Sequence, residues 1–249
     1  MTGSHDARER LVAAAERLLT GSGPGSVSMD AVAAAAGAGK MSAYRHFASK
    51  EDLVAAALER HNPRHVRWLV GASQTAEPGH DVGAGLAAAE SAPTGSAPAG
   101  LARGDRAHTE LGHADPAESI LSAFDRLESA AGGEPFRGCP FVDAALAAPG
   151  TDGRPGRIAW EHKQQVSREL AGLAARAGLP EPGEVGAAMA LVIDGAAVQA
   201  ALAPDVASRQ RIVRRARRAA EALLAAAAAL APEERPGAGE RRVRPGGQS

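Results

Sequence analysis

Seven consecutive residues, Lys40-Met41-Ser42-Ala43-Tyr44-Arg45-His46, gather two cations, a hydroxyl, a phenol, an imidazole and a thioether within two helical turns. Such a set donates hydrogen bonds and offers compact apolar contact. It suits a duplex major groove, where Lys or Arg donates to guanine O6/N7 and Met or Tyr touches thymine methyls. Ser28 and Lys50 flank it, and Lys50 stands beside a helix start, where phosphate is favoured. The alternative chemistry is nucleophilic catalysis by Cys139 with His162, since Cys–His pairs form covalent intermediates. No local signature surrounds that pair. His5, His61, His65, His80, His108 and His113 lack tight metal-ligand spacing, and Pro63 separates His61 from His65. No metal and no cofactor are expected.

The elements that must position these residues can be read from periodicity and caps. Asp6–Thr20 is amphipathic, with Leu11, Ala14, Ala15, Leu18 and Leu19 on one face. Gly21-Ser22-Gly23-Pro24-Gly25 stops it. Ser28 then serves as an N-cap for a short helix, Met29–Ala36, and Gly37 sits where a left-handed turn residue is needed. Lys40–Phe47 is a second short helix. Val32, Ala36, Ala43 and Phe47 are free to point inward, as helix–turn–helix geometry requires. Ser49-Lys50-Glu51-Asp52 is a capping box that opens a helix to about His61. Pro63 is expected to kink or end it, with Arg64–Val70 resuming.

Beyond Val70 the period is lost. The segment 73–115 is rich in Gly and Pro and reads as a flexible insertion. Helices return over Pro116–Ala131, Val142–Ala147, Arg157–Ala177, Pro182–Leu202 and Asp205–Leu230, and the charged 232–249 tail reads as disordered. The expected division is thus 1–48, a connecting helix 49–72, the insertion 73–115, a larger helical domain 116–231, and the tail 232–249.

Composition agrees with an all-α chain. Aromatics are only 3% of 249 residues, and alanine supplies much of the 45% hydrophobic fraction. Alanine combines high helix propensity with little volume, so helices should lie close together. The net charge is −1, and Met1–Val70 carries nine Lys/Arg against seven Asp/Glu, so bulk charge does not announce nucleic acid. No run of about 18 apolar residues is expected to cross a membrane. The start lacks a signal-peptide pattern, and the one cysteine fits a cytoplasmic setting.

Ser28–Gly37, Lys40–Phe47 and Ser49-Lys50-Glu51-Asp52-Leu53 together resemble the signature of TetR/AcrR-type transcriptional regulators. The alanine–glycine turn, the tyrosine, the His-Phe pair and the Ser-Lys-Glu stretch all match, whereas Ala43 stands where leucine is usual. The resemblance is strong over about Arg8–Leu58 and looser beyond. It implies an N-terminal three-helix DNA-binding domain and a larger ligand-binding and dimerisation domain. By position, Lys40, Met41, Ser42 and Tyr44 would approach bases or nearby backbone. Ser28, Tyr44, His46 and Lys50 would hold phosphates, with Arg45 a further contact. The plainer readings are a packed Tyr44, a solvated Arg45 and a surface His46.

Arg137-Gly138-Cys139-Pro140-Phe141 resembles an element bordering the ligand cavity in some members. The implied pocket wall is Phe124, Leu127, Cys139, Phe141, Trp160 and Met189, for a small apolar or aromatic ligand. Ordinary core is the alternative for each. The last two long helices are the dimer candidates by the same resemblance, through Ala187, Leu191, Val198, Ala220, Leu223 and Leu224, with internal packing as the alternative. The functional expectation is a homodimeric, ligand-responsive repressor on a palindromic operator. A DNA-binding dimer without a ligand remains the second reading.

Overall fold

The computed structural model describes residues 2–71, 115–148 and 153–230. Apart from Asp115, the expected insertion lies outside these residues, as does the expected tail. All regular structure among the described residues is helical, which agrees with the all-α expectation. The helices are α1 (Thr2–Ser22), α2 (Met29–Ala35), α3 (Lys40–His46), α4 (Lys50–Val70), α5 (Pro116–Ala131), α6 (Pro140–Ala147), α7 (Arg154–Arg176), α8 (Pro182–Leu202) and α9 (Val206–Ala229).

Local chemistry sets the starts. Ser28 Oγ accepts from the Ala31 N–H at 3.1 Å, Ser49 Oγ from Asp52 at 3.0 Å, and Asp205 Oδ1 from Ser208 at 2.7 Å. Each satisfies an amide that has no partner within the helix. Proline occupies the first turn of α5, α6, α7 and α8, where a missing N–H costs nothing.

Pro63 does not end α4, which was one of the two outcomes expected of it. The helix runs unbroken through it. Burial of both halves explains this: Leu53–Leu58 lie in one apolar core, and Val66, Leu69 and Val70 in another. Packing on each side outweighs the one hydrogen bond that proline removes.

Those two cores organise the chain. The first joins α1, α2, α3 and the N-terminal half of α4 with Phe141 and Ala144 of α6 and Ile158 and Ala159 of α7. The second joins the end of α4 to α5, α7, α8 and α9. The three-helix unit is therefore not sealed at residue 48. It shares its core with α6 and the start of α7.

α8 is long and apolar enough to cross a membrane by length and composition, against the expectation that no such run occurs. In the fold its Gly186, Met189, Ile193, Ala196, Ala197 and Ala200 are buried between neighbouring helices. Its apolarity serves this protein's own core on that face.

Candidate nucleic-acid interface

α2 ends in a Schellman turn. Ala38 N–H donates to Ala33 O at 2.9 Å and Gly37 N–H to Ala34 O at 3.2 Å, with Gly37 at φ +61°. Glycine reaches that conformation without the Cβ clash any other residue would meet. The turn redirects the chain into α3 so that Ala43 and Phe47 drop into the first core, both buried. The opposite face then projects Lys40, Met41, Tyr44 and Arg45 into solvent, with Met41 74% and Tyr44 48% exposed. Met41 and Tyr44, three residues apart on one helix face, offer adjoining apolar contact to a partner surface. Ser42 and His46 are half-buried at the margins, and Ser28 and Lys50 are exposed at the starts of α2 and α4. The structure thus brings all eight sequence-predicted residues onto or beside one helix–turn–helix. Arg8 of α1 stacks its guanidinium 5.3 Å above the Phe47 ring and braces the end of α3.

Lys40 is not free. Its Nζ donates to Asp30 Oδ2 of α2 at 2.9 Å, and that bond and charge raise its pKa. Asp30 was legible only as a favourable first-turn acid, and its bond to Lys40 emerges from the fold.

The interface is tied to α4 by charge. Glu16 of α1, largely buried, accepts from Arg60 Nε at 2.9 Å and from Arg64 Nη2 at 2.5 and 2.7 Å, and lies 3.1 Å from His61 Nδ1. Arg60 also pairs with Glu9. From the other side, Arg154 of α7 reaches Glu59 at 2.9 Å and Asp52 at 3.5 Å. None of these partners was foreseen. Charges spaced at 9 and 16 on α1 and at 60 and 64 on α4 reveal nothing until the two helices are laid side by side.

Behind α4, His162 of α7 stacks on Phe141 with ring centroids 3.8 Å apart, and His65 meets His162 edge-on at 4.9 Å. His162 Nδ1 donates to Asn62 Oδ1 at 2.6 Å, and Asn62 in turn donates to Gln165. Burial first, then the charges of Lys163 and His61, lowers the His162 pKa to about 3. His65 is held below its ordinary value by burial and by the charges of His162, His61 and Lys163. Cys139 is engaged by Lys163, not by His162: Lys163 Nζ lies 3.4 Å from its sulfur. The nucleophile–imidazole alternative therefore has no contact to support it.

The six residues expected to wall one cavity do not converge. Phe124, Leu127 and Met189 are buried in the second core, while Phe141 is buried in the first with Cys139 packed at its edge. Trp160 is 65% exposed; it points out of α7 on the face opposite Ala159 and His162. A cleft of about 210 Å³ lies elsewhere, lined by Val70, Gly71, Ser119, Arg126, Glu169, Leu173 and Arg176.

The dimer candidates divide by face. Ala220 and Leu224 are buried in the subunit's own core, because their side of α9 packs on α5 and α8. They are corrected to internal residues. Leu191, Val198 and Leu223 are exposed, Leu191 to 73%, and Ala187 is half-buried in line with them.

Residues 11–57 match the family described as bacterial regulatory proteins, tetR family. A TetR-type transcriptional regulator from Streptomyces avermitilis superposes with a TM-score of 0.61 at 27% identity, over 89% of this chain and 97% of that one. A TetR-family transcriptional regulator from Streptomyces coelicolor superposes at 0.62 with 20% identity, over 90% and 97%. A regulatory protein TetR from Rhodobacter sphaeroides gives 0.58 at 20% identity, over 85% and 97%. No curated protein sequence matched the chain.

Proposed function

We propose that this chain, whose residues 11–57 match the tetR family and whose fold is similar to that of TetR-family regulators, is a transcriptional regulator that binds a pseudo-palindromic operator as a homodimer. One observation carries the reading. Lys40, Met41, Tyr44 and Arg45 stand exposed on one face of α3 while Ala43 and Phe47 anchor the other in the core. Phosphate contacts by Ser28, His46 and Lys50 would fix the helix in the groove, and the α3 side chains would read base edges.

Pairing is supported by the exposed stripe of α8, where Ala187, Leu191, Gly195, Val198 and Leu202 recur every three or four residues. Leu223 of α9 and Leu230 at its C-cap are exposed as well. Two such faces related by a two-fold axis make a four-helix seam, and they set two recognition helices about 34–36 Å apart or a multiple of it. Footprinting of the upstream DNA by purified protein is the test. Two protected half-sites in two-fold symmetry are expected; unprotected DNA, or protection without symmetry, overturns the reading.

A ligand response belongs to the same proposal, with the effector shifting the population toward a dimer whose α3 helices are wrongly spaced. The cleft at Arg126 and Arg176 is smaller and more charged than a drug-sized apolar pocket. It favours a small carboxylate or phosphate over an apolar or aromatic compound. The burial of Phe124, Leu127 and Met189 in close-packed core favours the second reading, a DNA-binding dimer with no effector. Thermal-shift screening with small acids beside apolar compounds separates the two.

A further inference from the structure

The part of α4 that enters the first core is smooth. Ala55, Ala56 and Ala57 are buried there between Val54 and Leu58, and Ala14, Ala15, Ala144 and Ala159 are buried in the same core. Interlocking ridges of side chains set the crossing angle of packed helices, and alanine ridges are shallow. Apolar contact therefore fixes how near α4 lies to its neighbours better than it fixes the tilt. Polar contacts on two flanks supply the rest, and they are unequal. On the α1 flank Glu16, with 12% of its side chain exposed, holds Arg60 and Arg64. On the α7 flank Arg154, 41% exposed, donates from Nη2 to Glu59 Oε1 at 2.9 Å and reaches Asp52 Oδ1 at 3.5 Å. Ion pairs this exposed add little to stability.

The place of Arg154 gives it leverage instead. Asp52 and Glu59 stand about two helical turns apart on α4, so one guanidinium grips the helix at two levels. Asp52 passes the grip on. Its Oδ2 accepts from the Ser49 hydroxyl at 3.0 Å, and Ser49 Oγ accepts from the Asp52 amide at 3.0 Å. Ser49 is the N-cap of α4, two residues beyond Phe47, the C-cap of α3. Arg154 itself is the first residue of α7, a helix buried in both cores through Ile158 and Ala159 and then Val166 and Leu170. Three polar side chains thus link a helix of the larger half to the junction from which the recognition helix hangs.

We propose that Arg154 is a positioning residue for operator binding: it sets the tilt of α4 and so the separation of the two α3 helices in the dimer. On the operator reading above, on which this role depends, Arg154 needs no contact with DNA itself. A tilt of about 5° over about 20 Å of helix moves the DNA end of α4 by roughly 2 Å, and the two-fold axis doubles that displacement. Recognition helices at the wrong separation engage one half-site at a time, because the half-sites lie at a fixed helical repeat. The cost therefore falls on the paired site and not on either half alone.

Distance is the first readout, and it needs no DNA. Ala35 is exposed at the end of α2. A nitroxide on Ala35→Cys in full-length protein carrying Cys139→Ser, which removes the one native thiol, reports the separation of the two DNA-binding units by dipolar spectroscopy. Arg154→Gln should shift or widen that separation by about 4 Å, with the thermal melt unchanged. Glu59→Gln should do the same, the two changes together should add little, and Arg154→Lys should restore part of the order. Affinity is the second readout. On the protected upstream duplex Arg154→Gln should bind about tenfold more weakly, within the usual range of coupling between sites. On the same duplex with one half-site scrambled it should bind as the unaltered protein does, and its preference for the natural half-site spacing over one lengthened by a base pair should shrink. Equal losses on the two duplexes, or a separation identical to that of the unaltered protein, overturn this role. A sample without dipolar coupling is no dimer and sinks the operator reading along with it. A dimer whose separation responds to Arg154 but which protects no upstream site sinks the operator reading and leaves the control of tilt standing.

Discussion

Lys40 would enter a complex with DNA already holding a carboxylate, so its contribution is an exchange of Asp30 for the nucleic acid. Asp30→Asn removes that competitor. It should raise affinity for any duplex and steepen the salt dependence by about one ion, measured by anisotropy titrations at several salt concentrations. Lys40→Ala should weaken operator binding and flatten the same slope with helicity unchanged by circular dichroism; an unaltered slope would remove Lys40 from the contacts. His162 makes a prediction about pH. Its folded pKa of about 3 lies below the ordinary 6.5, so the unfolded chain binds the extra proton. Stability is therefore complete above pH 6.5 and declines as pH falls toward 3, by about 2 kcal/mol at pH 5. Thermal melts from pH 7 to 5 check this, and His162→Phe should remove that share of the decline and leave the share due to His65. The exposed α3 residues were readable because their types and spacing state a chemistry. Lys163 and Asp194 left a fainter trace. Each falls on the inward stripe of its helix, Lys163 with Ala159 and Val166, Asp194 with Ala190 and Ala197. A charge in such a stripe demands a buried partner, which pairs the two once α7 and α8 are neighbours.

Among the elements, helix starts were the most legible, because a cap is a local bond between residues three apart. Ser49→Ala should cost about 1 kcal/mol by denaturant titration, since the Asp52 amide loses its acceptor. That α4 does not end at Pro63 was less legible for the complementary reason: what carries the helix past it is burial at both ends, which no local window contains. Ala220 and Leu224 were misassigned because periodicity marks an apolar face without saying whether a sister helix or a second subunit covers it. The α1–α4 contact is governed by Glu16, one largely buried carboxylate among three basic side chains. Glu16→Gln leaves Arg64 without its counter-charge and Arg60 with Glu9 alone, and should destabilise the fold by about 2 kcal/mol. Arg60→Ala in the same background should then cost less than it does alone, which a double-mutant cycle reads directly.

At the scale of the whole molecule, the surface left over after folding argues for a second copy. Leu191 and Val198 stand out from α8, and Leu223 is exposed on the neighbouring α9. Leu191→Glu combined with Val198→Glu should convert a dimer to a folded monomer by light scattering and abolish cooperative protection of the two half-sites. A monomeric wild-type protein at micromolar concentration would overturn the pairing. α4 has a further consequence at this scale. It spans about 30 Å as the shaft that threads both cores, and the amide that should lock Glu59 to residue 63 is absent because residue 63 is proline. The gap falls after the segment embedded in one core and before the segment embedded in the other. A shaft weakened at one rung between two clamps flexes there first. Pro63→Ala should therefore stiffen the joint and blunt any signal sent from one half to the other, while leaving the strength of DNA binding at rest almost as it was.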